Sequence, residues 1–178
     1  SAIIDGMMQV CSKAGISPLD ITQIIHGTTL ATNALIERRG AKTALITTEG
    51  FRDVIEMRTE SRFEQYDLNL CLPEPLLPRQ MRYTVPGRID AHGNELLPLF
   101  RQDVEKVVKK IKTAGYESIA IGLIHSYAND IHEKLVRDVV SELIPDAMIS
   151  ISSEVSPQMR EYERFNTVVA NAYIKPLM

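Results

Sequence analysis

Apolar residues recur at helical spacing over residues 2–14, where Ile3, Ile4, Met7, Met8, Val10 and Cys11 alternate with polar positions before Gly15. Glycine is a natural helix stop, because it takes the left-handed conformation without a Cβ penalty. Ser17-Pro18 and Asp20 make a turn. The run ITQIIH, residues 21–26, predicts a short apolar strand, and residues 30–38 predict a helix ending at Gly40. KTALITT, residues 42–48, reads as a buried strand. Gly50 then precedes a helix over 51–58 with Phe51, Val54, Ile55 and Met57 apolar. Helix, strand, helix, strand, helix is the alternation of an α/β layer with a largely parallel sheet.

The pattern lapses over residues 59–79, where Pro73, Pro75 and Pro78 fall. Proline fixes φ and lacks an N–H, so this stretch predicts an ordered loop or extended crossover. MRYTVPGRIDAHGNELLPL, residues 81–99, predicts a hairpin turning at DAHGNE, with Gly93 free to take positive φ. Residues 59–99 thus form a loop and hairpin insertion. Alternation resumes with an amphipathic helix over 103–114. Val104, Val107, Val108 and Ile111 lie on one face, Lys106, Lys109, Lys110 and Lys112 lie outside, and Gly115 closes it. A buried strand (118–126), a helix (130–144), a strand (147–153) and a final helix (157–173) complete the chain. The predicted class is α/β, with mixed, largely parallel strands.

Composition narrows the function classes. At 178 residues the chain can bury a core without disulfides or metal. Lys and Arg total 20 against 23 Asp and Glu, a net charge of −3 that argues against a nucleic-acid surface. No apolar run approaches the roughly 20 residues that span a bilayer, so no membrane partner is expected. Cys11 and Cys71 match no metal or redox spacing. Cys11 predicts a buried free thiol, and the lack of a disulfide framework predicts a cytoplasmic protein. The chain does not begin with Met, and its last helix stops at Pro176. Both ends read as cut, so the expectation is a piece of a longer polypeptide.

Candidate chemistry centres on HGTTLATNALIERRG. Gly27 permits a tight turn after the predicted strand, and Thr28 or Thr29 can cap the helix that follows. The free N–H groups of a first helical turn favour an anion, although every capped helix offers them. No Gly-Lys-Ser/Thr follows, so this is not a Walker loop. His26 at a strand end sits where α/β sheets hold ligands, as a general base or a donor. A structural histidine bonded to a carbonyl fits equally. His125 and His132, with Glu133, form a looser group. Two histidines fall short of the three or four ligands a metal needs, and capping by Asn129 or Asp130 explains that turn as well. Arg160 and Arg164, four apart, are expected to share a helix face, either gripping an anion or pairing with Glu154, Glu161 or Glu163. Arg52, Arg58 and Arg62 are candidates beside the proline-rich loop. No metal site and no Ser–His–Asp or Cys–His arrangement is defensible.

HGTTLATNALIERRGAKTALITTEGFRDVIEMRTESR, PEPLLPR, RIDAHGNEL, IAIGLIHSYANDIHE and SSEVSPQMREYERFNTVVANAYIKP together resemble the N-terminal region of the hydantoinase A/5-oxoprolinase family, in the family's order and over nearly the whole chain. The resemblance implies an ATP-dependent enzyme that opens a small cyclic amide (a hydantoin, an N-methylhydantoin or 5-oxoproline). It also implies a lobe of the ribonuclease-H-like type seen in actin, sugar kinases and heat-shock proteins. ATP and Mg²⁺ are the implied cofactors, and a hydantoinase B-like subunit or C-terminal region the implied partner, with homo-oligomers left open. Relatives that serve ATP-dependent ketone carboxylases, and a non-catalytic folding or subunit-interaction role, are the alternatives. The family's Asp-x-Gly-Gly-Thr-x-Thr-Asp phosphate loop is absent from these residues, as is a second Gly-Gly-Thr element. The isolated chain is therefore expected to be inactive. In the full enzyme, His26, Gly27, Thr28, Thr29, Asn33, His125 and Arg160 are expected to line the site toward substrate or phosphate, with His26 the catalytic candidate.

Overall fold

The structure is a computed structural model in which residues 2–24, 29–59 and 66–178 are described. The chain divides into two units, residues 1–30 and 31–178. The first carries helix α1 (Ala2–Ala14), a break at Gly15 (φ 66°) and a 3-10 turn at Pro18–Asp20, whose start Ser17 caps through its hydroxyl. Cys11 is a buried free thiol, as expected. Residues 21–24 form no strand, contrary to the periodicity. Ile24 is exposed, and an apolar run becomes a strand only where a neighbouring edge takes up its backbone groups.

The second unit is built on a four-stranded sheet. Helix α2 (Leu30–Ile36) leads to β1 (Thr43–Thr48), every residue of which is buried. A single helical turn, α3 (Val54–Met57), replaces the longer helix expected over 51–58. The chain then runs through β2 (Arg82–Val85), β3 (Arg88–Ile89), β4 (Glu95–Leu97), α4 (Arg101–Ala114), β5 (Ser118–Gly122), α5 (Ile131–Leu143) and β6 (Met148–Ile151). A short α6 (Ser152–Val155) and the closing α7 (Glu161–Ile174) follow. The sheet order is β2-β1-β5-β6, with all pairings parallel.

The hairpin expected over 81–99 is narrower than that. Pro86 and Gly87 split the run. Residues before them join the main sheet as an edge strand, and only β3 and β4 pair as a hairpin. Proline cannot donate to a ladder, and Gly87 takes φ 114°, a region closed to residues with a side chain. The DAHGNE turn forms as expected. The Asp90 carboxylate accepts from His92 N and Asn94 N, both at 2.8 Å, and Gly93 has φ 86°.

Side chains alternate across the sheet, so each face has its own core. Ala44, Ile46, Ile119, Ile121 and Ile151 face α4 and α5, meeting Val104, Val108, Ile111, Val136 and Val140. Leu45 and Ala120 face α3 and α7, meeting Ile55, Phe165, Val168 and Ala172. Each such apolar side chain contributes roughly 1.5–3 kcal/mol when fully buried. Phe165 packs closely on β5 because the strand has Gly122 there: a Cβ at that position would stand 2.7 Å from Phe165 Cδ1.

The chain leaves β1 toward the α3 face and leaves β5 toward the α5 face. Adjacent parallel strands whose connections diverge to opposite faces open a crevice at their carboxyl ends, where doubly wound sheets bind ligands. Between β1 and β5, Thr48 Oγ1 accepts from Ile124 N at 3.1 Å and ties the two strand ends together.

Candidate functional site at the strand ends

The carboxyl ends of β5 and β6 are joined by a buried polar network. Glu133, wholly buried on α5, accepts from Leu123 N (2.9 Å), Ser152 Oγ (2.6 Å) and Ser153 N (2.9 Å). Arg164, wholly buried on α7, donates to Ser152 Oγ (3.1 Å), Gln158 O (2.8 Å) and Leu123 O (2.9 Å). Burial pushes the Arg164 guanidinium below its ordinary value, and the nearby Glu161 and Glu133 carboxylates act against that shift. A buried charge is tolerated only when paired and hydrogen-bonded, so this network pins α5, α6 and α7 to the strand ends.

Beside the network lies an open cleft of about 360 Å³, lined by Phe51, Val54, Arg58 and Thr59 from the segment after β1 and by Arg160, Glu161, Tyr162 and Glu163 at the start of α7. Two of the four non-glycine residues with positive φ among the described residues line it, Arg58 (58°) and Arg160 (82°), and a third, His125 (55°), contacts the lining residue Glu161. Such conformations cost of order 1–3 kcal/mol each and gather at functional sites. His125 Nδ1 stands 3.7 Å from Glu161 Oε1 and 3.4 Å from Tyr127 Oη. Glu161 Oε1 is also 3.7 Å from Arg164 Nη2, is itself buried, and takes no hydrogen bond among the described residues. The Arg160 guanidinium is exposed and has no hydrogen-bond or ion-pair partner among the described residues.

The sequence candidates separate on this geometry. Arg160 lines the cleft, and His125 stands behind it, 3.7 Å from the lining residue Glu161. His125 and His132 do not converge, because His132 Nε2 meets Glu95 Oε1 at 2.6 Å on the hairpin and Glu133 turns into the network. Arg160 and Arg164 do not share a helix face either: α7 begins at Glu161, Arg160 is its left-handed cap, and Arg164 is buried. Asn129 Oδ1 accepts from Ile131 N at 3.2 Å and serves the start of α5. Arg52 and Arg58 donate to the carbonyls of Arg79 and Pro73, so they hold the proline-rich loop, and Arg62 lies outside the described residues. His26, Gly27 and Thr28 also lie outside them. Thr29 and Asn33 are exposed. Glu161 appeared in the sequence only as a surface ion-pair partner, because neither positive φ at a neighbouring arginine nor a cleft leaves a periodic trace. Among the described residues no three His, Cys, Asp or Glu side chains converge to hold a metal. No helix among them is long and apolar enough to cross a membrane.

Fold and cleft define a doubly wound parallel α/β unit with a polar strand-end site. Residues 1–144 match the hydantoinase/oxoprolinase N-terminal region, and the chain belongs to that family. It is 42% identical over 176 residues to an uncharacterised protein of Methanocaldococcus jannaschii, covering 97% of this chain and 26% of that protein. It is 34% identical over 183 residues to the caprolactamase alpha subunit of Pseudomonas jessenii, covering 99% and 26%. The crystal structure of that organism's ATP-dependent caprolactamase superposes with a TM-score of 0.87 at 34% identity, over 99% of this chain and 26% of that one. The nucleotide-free acetone carboxylase structure, from work on ATP-dependent acetone carboxylation, follows at TM-score 0.78 and 26% identity, over 93% and 26%. The chain thus spans about a quarter of the length of each of these relatives.

Proposed function

We propose that these residues are part of an ATP-dependent amidohydrolase that opens a cyclic amide through a phosphorylated lactam, and that the full enzyme works in the cytoplasm with a further subunit or C-terminal region. The observation that carries this reading is the match to the ATP-dependent caprolactamase over 99% of the chain. The acetone carboxylase match, lower in both TM-score and identity, supports the ketone-carboxylase alternative less.

ATP enters as a co-substrate. An amide is a poor electrophile because resonance protects its carbonyl. Attack of the lactam oxygen on the γ-phosphorus expels ADP and leaves an O-phosphorylated imidate. Water adds to the imidate carbon, the ring C–N bond breaks with nitrogen leaving as the amine, and a second water attacks the acyl carbon of the resulting acyl phosphate, breaking its C–O bond to give carboxylate and a phosphate that keeps the lactam oxygen. Positioning and charge neutralisation are the protein's share of phosphoryl transfer. Among the described residues no three His, Cys, Asp or Glu side chains converge to hold Mg²⁺ by themselves. The isolated 178 residues are read as inactive. His26 to Asn33 remain proposed as one wall of the full site.

The test uses the full-length protein with hydantoin, 5-oxoproline and caprolactam labelled with ¹⁸O in the carbonyl. Lactam-dependent ATP hydrolysis that carries ¹⁸O into inorganic phosphate is expected. Label found only in the product carboxylate, or ATP hydrolysis indifferent to every ring, overturns the reading.

A further inference from the structure

Arg160 and Glu161 are consecutive residues that both line the cleft, yet they stand on different backbones: Arg160 is left-handed and outside α7, and Glu161 is its first helical residue. Both side chains line the cleft, one a guanidinium without a partner among the described residues and the other a carboxylate. A guanidinium only donates hydrogen bonds, and an ionised carboxylate only accepts them. The cleft therefore offers a donor group and an acceptor group.

The complement of that pair is a cis amide. In an open chain the peptide unit is trans, with N–H and C=O pointing to opposite sides. A small ring forces the cis form, which puts one donor and one acceptor on the same edge. We infer that the cleft recognises the cis-amide edge of a cyclic amide, with Arg160 donating to the ring carbonyl and Glu161 accepting from the ring N–H. This assignment rests on the cyclic-amide reading above and adds the residues that select for it. The volume of about 360 Å³ is within the range of small-molecule sites. Arg58 on the facing segment and Glu163 on the same wall bring the formal charges of the lining to a sum of zero. Glu161 is held at the cleft by its helix and by the neighbouring His125 and Arg164, each 3.7 Å from Oε1.

The test separates the N–H from the carbonyl. In the full-length protein, calorimetry measures binding of the ring that most stimulates ATP hydrolysis among hydantoin, 5-oxoproline and caprolactam, and of its N-methyl counterpart. Glu161→Ala is expected to weaken the N–H ring by about tenfold or more and the N-methyl ring less than about twofold, since a hydrogen bond to a charged group is at stake. Arg160→Ala is expected to weaken both rings alike. Glu161→Gln keeps an acceptor oxygen and is expected to recover part of the N–H preference. Should Glu161→Ala fail to fold, Glu161→Gln decides on the same ratio, with a reduced N–H preference supporting the assignment and an unchanged one overturning it. A lactam-stimulated enzyme whose binding is indifferent to both alanine changes, or loses both rings equally with Glu161→Ala, overturns this inference and leaves the proposed function standing. An enzyme stimulated by no ring removes both.

Discussion

Replacing Glu133 with Gln tests whether the buried network at the strand ends governs stability. The change is nearly isosteric, so it leaves no cavity and isolates the electrostatics. Glu133 accepts three hydrogen bonds, from Leu123 N, Ser152 Oγ and Ser153 N, and lies opposite the buried Arg164. An amide turns one of those acceptor oxygens into a donor, so one of the three donors faces an N–H. A buried donor left unsatisfied costs about 1–3 kcal/mol. Arg164 keeps the Glu161 carboxylate at 3.7 Å, so the loss of the second nearby charge adds less than the penalty of an unpaired buried ion. A loss of about 2–3 kcal/mol is expected, which for a unit of this size lowers Tm by roughly 8 °C. Urea unfolding followed by far-ultraviolet circular dichroism should show a lower midpoint with an unchanged slope. The double change with Arg164→Met should cost at least about 1 kcal/mol less than the sum of the single changes, because the residues share one network. A loss under about 0.5 kcal/mol for Glu133→Gln, or strict additivity in the pair, would refute the reasoning.

Two further predictions concern packing and pH. Gly122→Ala places a Cβ 2.7 Å from the Phe165 ring and should destabilise by about 1–3 kcal/mol, read from the same unfolding curves, with Phe165→Leu in the same chain relieving part of the loss. Asp90 is held below the ordinary carboxylate value, first by the Asn94 side chain and then by the backbone N–H groups of Asn94 and His92. Its contribution is therefore fully present above about pH 4 and is lost as pH falls through its depressed folded value. A carbon-detected NMR titration should place the Asp90 midpoint below that of Asp90 in Asn94→Ala; equal midpoints would contradict the assignment.

Much of the second unit could be read from the chain alone. The periodicities of β1, α4, β5, α5, β6 and α7 survive to within a few residues, because the helices each bury an apolar stripe and the central strands β1 and β5 are buried on both faces, and both leave a regular trace. Gly115 ends α4 in the left-handed conformation its position implied. The failures share one cause. Residues 21–24 carry a strand-like pattern without a strand, and the run from Met81 to Ile89 carries one pattern but joins two sheets. Whether a strand forms depends on which edge is free to accept it, and no local pattern contains that edge. The candidate site failed in a similar way. Arg160 and Arg164 have helical spacing, but the helix starts between them, so one arginine faces solvent and the other is buried under Tyr127 and Phe165.

What the sequence determined by itself is the α/β layer, its helix stops and its likeness to a family, since hydrophobic period, glycine position and residue order are properties of the chain. Tertiary structure alone decided that Glu133 and Arg164 are buried partners in one network, that His125 turns to Glu161 rather than to His132, and that Arg58 and Arg160 meet across a cleft. These contacts join residues up to about a hundred positions apart, and their energies depend on burial and on distances of a few ångströms, which exist only once the sheet has brought its strand ends together.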